Sequence, residues 1–96
     1  MDYHVVFEYT TTAPVTEVQI DRAGGRLATY GATIAHGTDR IGVTVTGDYP
    51  DAPTALSELY SAVGAAFWSV GAESMDFHHA TVYTSLAFDT REVEAD

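Results

Sequence analysis

The chain has 96 residues, 46% of them hydrophobic, no cysteine, and four basic against fourteen acidic side chains, a formal charge of −10. That length fits one domain with a modest core, and the missing cysteines exclude a disulfide scaffold, a thiolate zinc site and a cysteine nucleophile. The charge would repel nucleic acid and anionic membranes alike, and no stretch approaches the ~20 apolar residues that span a bilayer.

The first segment, Tyr3 to Thr10, alternates with period two. Tyr3, Val5, Phe7 and Tyr9 fall on one face, and His4, Val6, Glu8 and Thr10 on the other. The pattern predicts a half-buried strand. Thr16 with Gln19 three residues on then has the spacing of a capping box, with Val15 and Ile20 placed as a hydrophobic staple. Glu17 adds negative charge at the helix's positive end. A helix is therefore expected through Leu27 and Tyr30 to Gly31, weakened by Gly24-Gly25; the competing reading makes Val15–Ile20 a strand.

Ala32–His36 and Ile41–Thr46 read as two strands joined by Gly37-Thr-Asp-Arg40, a hairpin signal. Asp51 is placed to cap a second helix, with Pro53 in its first turn. Leu56, Leu59/Tyr60, Val63, Ala66/Phe67 and Val70 form its apolar stripe, closed by Gly71. Met75 to about Leu86 reads as a last strand, with Ala80, Val82 and Leu86 on one face and His79, Thr81, Tyr83 and Ser85 on the other.

The order β-α-β-β-α-β predicts an α+β ferredoxin-like sandwich: a four-stranded antiparallel sheet, ordered 4-1-3-2, with both helices on one face. If Val15–Ile20 is a strand, a hairpin-first α+β fold replaces it. The domain is expected over residues 1–88. Asp89–Asp96, with four acids against one arginine, reads as a solvated tail. The stretch Pro14-Val-Thr-Glu-Val-Gln-Ile20 leading to Leu27-Ala-Thr-Tyr-Gly-Ala-Thr-Ile34 resembles small ferredoxin-like proteins of high-GC actinobacteria and their phages, and the absence of lysine fits that source. The resemblance implies the fold and no functional residue.

No constellation for chemistry assembles. Ala23-Gly24-Gly25-Arg26 matches no phosphate-loop motif and falls within a helix, where glycines would let it lie close to the sheet. His78 and His79, adjacent on a strand, should point to opposite faces. Asp76 and His78 could supply two metal ligands but lack a third. The serines include no nucleophile elbow, and Ser85 near His4 would lack an orienting acid. Asp48 and Asp51 flank Tyr49-Pro50; Asp51 as a cap predicts hydrogen bonds to its charged form rather than a raised pKa. Trp68 lies about 100° round the helix from Phe67 and is expected to flank the core. Neither a catalytic residue nor a cofactor or metal site is expected.

A surface remains. With both helices on one face, the other carries Val6, Glu8, Thr44, Thr46, His79, Thr81 and Tyr83, threonine-rich and poor in charge. The edge strand Ala32–His36 offers a second docking route by strand addition. The sequence thus points to a cytoplasmic, non-enzymatic protein-interaction domain, expected as a homodimer, with its protein partner unidentified. The resemblance adds a phage or accessory protein that modulates a host protein. Two alternatives stay open: a small-molecule binder or enzyme using the open sheet face, and an acidic nucleic-acid mimic. The acids scatter along the chain, whereas a mimic needs them focused.

Overall fold

The computed structural model describes residues 1–72 and 75–84. Its elements are β1 (Asp2–Thr11), α1 (Glu17–Arg26), a 3-10 turn (Ala28–Tyr30), β2 (Thr33–His36), β3 (Arg40–Asp48), α2 (Ala52–Ser69) and β4 (Met75–Thr84). The sheet order is β2-β3-β1-β4, antiparallel at every pairing. This is the expected α+β ferredoxin-like arrangement. The helical reading of Val15–Ile20 therefore holds from Glu17 onward. The expected tail, and Ser85 and Leu86, lie outside the described residues.

The alternation in β1 becomes burial. Val5 and Phe7 are fully enclosed and Tyr3 and Tyr9 nearly so, while His4, Val6, Glu8 and Thr10 stay partly open. Ile41, Val43 and Val45 of β3 join the same face. Ala23 of α1, Leu27 just after it, and Leu59, Val63 and Phe67 of α2 belong to the same cluster, so both helices cover one side of the sheet. Each fully buried Val, Leu or Phe contributes about 1.5–3 kcal/mol, whereas a helix cap contributes about 1 kcal/mol. The core holds the fold; the caps decide where its helices begin.

The capping box forms as its spacing predicts. Gln19 N donates to Thr16 Oγ1 at 3.1 Å, and Thr16 N donates to Gln19 Oε1 at 3.0 Å. The same Gln19 amide donates from Nε2 to Val70 O at 3.2 Å, tying the start of α1 to the end of α2. Asp51 caps α2 by accepting from Thr54 N at 2.8 Å. Hydrogen bonds from Thr54 hold its carboxyl below the usual aspartate range, in line with its reading as a cap.

One boundary differs from expectation. α1 ends at Arg26, and the chain tightens through Ala28–Tyr30 before Gly31 takes a left-handed conformation, φ 61°. Thr46 Oγ1 donates to Tyr30 O at 3.1 Å and pins that turn to the sheet. The glycine pair, expected to permit close approach, is not needed for it. A Cβ at Gly24 would sit 3.6 Å from Ile34 Cδ1, an ordinary contact, and one at Gly25 would meet nothing within 4 Å.

Thr16→Ala should lower stability by about 1 kcal/mol in urea unfolding, and Gly25→Ala should raise it by up to about 1 kcal/mol. A pH effect follows from Tyr9, whose phenol is pushed up from 10.0 to about 12 by burial and then by the neighbouring Tyr60. Folding keeps this proton after the unfolded chain has released it. Its contribution is therefore intact below pH 10 and is lost as pH rises through about 12. Denaturation midpoints measured across that window should fall less steeply for Tyr9→Phe than for the parent chain.

Candidate functional site

The strand register arranges the helix-free face in rows. Thr33, Thr44, Val6 and Thr81 lie side by side across all four strands. Thr46, His4 and Tyr83 form the next row on one side; Ala35, Gly42, Glu8 and His79 form the row on the other. Val6, Glu8, Thr44, Thr46, His79, Thr81 and Tyr83 thus share one surface. Thr46 is engaged within the fold, through Tyr30.

Charge gathers at the ends of this surface. Asp2 stands opposite Asp48 at one end; Arg40 and Asp76 flank Thr10 at the other. Within it, His79 Nε2 meets Glu8 Oε2 at 2.7 Å, with both side chains nearly half exposed. A pair so open to water contributes about 0–1 kcal/mol and orients the imidazole more than it stabilises the fold.

One expectation about β4 is overturned. A bulge interrupts its pairing with β1: Glu8 faces His79, Tyr9 faces Phe77, and His78 is the unpaired extra residue. The two histidines consequently do not point to opposite faces. Their rings lie 4.7 Å apart, with the Nδ1 atoms hydrogen-bonded. A run Glu8–His79–His78 results. Among the described residues no group of three or more His, Asp or Glu side chains is placed to hold a metal ion. The Asp48/Asp51 pair also separates: Asp48 Oδ1 binds the Met1 ammonium at 2.6 Å, and Asp51 caps α2.

The bulge creates a second surface, on the helix side. β4 changes phase at His78, so Phe77 opposes Tyr9 on the face that Ala80 and Val82 also occupy. α2 buries Ala55, Leu59, Val63, Ala66 and Phe67, a line shifted from the expected stripe. Leu56 and Tyr60 are left 36% and 44% exposed, and Trp68, expected to flank the core, is 71% exposed. Phe77 meets Tyr60 and Tyr9 edge-on, with ring centroids 5.1 and 5.8 Å apart. Between α2 and the bulged end of β4 lies a groove of about 520 Å³, bounded by Tyr9, Tyr60, Gly64, Trp68, Met75 and Phe77. Sequence reading missed it. An aromatic Phe77 out of step with Ala80 and Val82 was the available signal.

No protein-family model matches the chain, and no curated protein does. Among solved structures, the chain is similar to the 1.90 Å crystal structure of a putative transposase from Deinococcus radiodurans R1, with a TM-score of 0.51. The match covers 99% of this chain and 86% of that one. At 12% identity the likeness is one of fold alone.

Proposed function

We propose that the chain is a non-enzymatic protein-interaction domain acting through its helix-free sheet face, with a second copy of itself as the partner. The observation that supports this most is the uncharged row Thr33–Thr44–Val6–Thr81, which crosses the whole sheet between charged ends. A neutral centre with a charged rim is the anatomy of a protein interface. Arg40 and Asp48 stand on β3 four residues either side of Thr44. A two-fold axis along the neutral row therefore sets Arg40 of one copy over Asp48 of the other, an isologous arrangement in which attraction is counted twice.

Size bounds the affinity. Four strands about 4.8 Å apart, each rising about 3.3 Å per residue, present roughly 500 Å² on this face. Stable interfaces bury about 800 Å² per partner, so self-association here is concentration-dependent. A foreign protein that displaces the second copy would recognise the same neutral centre.

Sedimentation equilibrium up to millimolar protein should show a monomer–dimer transition. Val6→Glu, which places a charge at the centre of the row, should weaken it at least 100-fold, because two unpaired carboxylates would meet there. Arg40→Asp alone should weaken it, and adding Asp48→Arg should restore it. A chain that stays monomeric at every concentration would rule out the second copy as partner.

A further inference from the structure

We infer that the bulge of β4 builds a copper(II) site, with the Nδ1 atoms of His78 and His79 as its protein ligands and Glu8 as the group that positions His79. Adjacent residues on a regular strand face opposite sides of the sheet and cannot grip one ion together. Here both histidines stand against the single residue Glu8, and their Nδ1 atoms meet in a hydrogen bond. Bulges re-aim side chains in this way beside functional sites. The chain's other histidines, His4 and His36, stand on other rows of the sheet, so the nitrogen donors are these two rings.

The contacts fix the tautomers. His79 Nε2 lies 2.7 Å from Glu8 Oε2, so in the neutral ring that nitrogen carries the proton and Nδ1 presents its lone pair. The Nδ1–Nδ1 bond then requires His78 to donate from Nδ1. An ion entering between the rings takes the place of that proton. His78 passes to its other neutral tautomer, releasing one proton from Nδ1 to water and taking one at Nε2. Glu8 keeps its hydrogen bond throughout. A carboxylate on the far nitrogen holds the ring in place and makes the near nitrogen a better donor.

Geometry and ligand number select the metal. Two nitrogens about 2.0 Å from an ion stand about 2.8 Å apart at a right angle and about 3.3 Å apart at a tetrahedral one. Rings already in hydrogen-bond contact are nearer the first, the angle of a tetragonal copper(II) or nickel(II) centre. Copper(II) also binds such donors most tightly of the first-row divalent ions. Zinc sites draw three or four protein ligands, and among the described residues no third His, Asp or Glu joins the pair. Both rings are exposed, which leaves the remaining positions to water. Arg40 borders the cleft beside His78 and opposes a cation there. Glu8 and Asp76 at the same end of the sheet outnumber it, and the chain's −10 charge draws cations.

The test titrates the untagged full chain with copper(II) at micromolar protein, below the self-association expected of the sheet face, so the two readings stand or fall separately. Calorimetry should give one ion per chain, with nickel(II) and zinc(II) at least about tenfold weaker. Electron paramagnetic resonance should show splitting from two imidazole nitrogens. His78→Ala and His79→Ala should each weaken binding at least about tenfold and leave one nitrogen. Glu8→Ala should weaken it about tenfold with both nitrogens kept, and Glu8→Gln should recover part, because an amide oxygen still accepts from Nε2. Circular dichroism should be unchanged in every variant, since none of these side chains belongs to the core. One ion per two chains, a spectrum without two nitrogens, or binding that survives His78→Ala would overturn the proposal. So would loss of the site in His4→Ala, which would assign the ion to His4 and the Met1 amine. Undiminished binding by Glu8→Ala would overturn the role given to Glu8.

Discussion

The constraint on which the structure depends is the two-residue alternation of β1. β1 is a central strand, paired to β3 on one side and β4 on the other, so its odd residues set the depth of the core for both neighbours. Val5 and Phe7 are fully buried and give both helices a common surface to pack on. The same alternation sends Val6 outward at the middle of the sheet. A slip of one residue would exchange these sets, burying His4 and Glu8 and exposing Phe7, which makes the register hard to lose. Core and candidate interface are two sides of one strand.

Much of this was legible from residues alone. The Thr16/Gln19 box, the Asp51 cap and the glycines after each helical segment are local signals, because each depends on hydrogen bonds within a few residues of itself. The seven residues of the sheet face were legible for a related reason. Their facing follows from period two once both helices lie on the other side, and the strand pairings then place them in neighbouring rows.

What was not legible depends on partners distant in the chain. The extra residue His78 exists only relative to β1, and within β4 its one trace is Phe77 falling out of step with Ala80 and Val82. The burial of α2 is likewise set by what lies beneath it. Its buried line follows the core over the central strands, so Trp68, although beside Phe67 in sequence, has no sheet under it. Helical periodicity gives the width of an apolar stripe but not where the supporting sheet stops.

The bulge at His78 also divides β4 into two segments whose facing is set separately. Residues from His79 onward are held by pairing with the first half of β1, and Met75 to Phe77 are held by its second half. Loss of the extra residue itself would regularise the ladder, with His79 still opposite Glu8 and Phe77 still opposite Tyr9, so both segments would keep their facing. The inward facing of Phe77 therefore depends on its pairing with Tyr9 and not on the extra residue, whose own addition is the contact between His78 and His79. The histidine run beside Glu8 could thus be lost with one residue while the aromatic surface on the helix side stayed as it is.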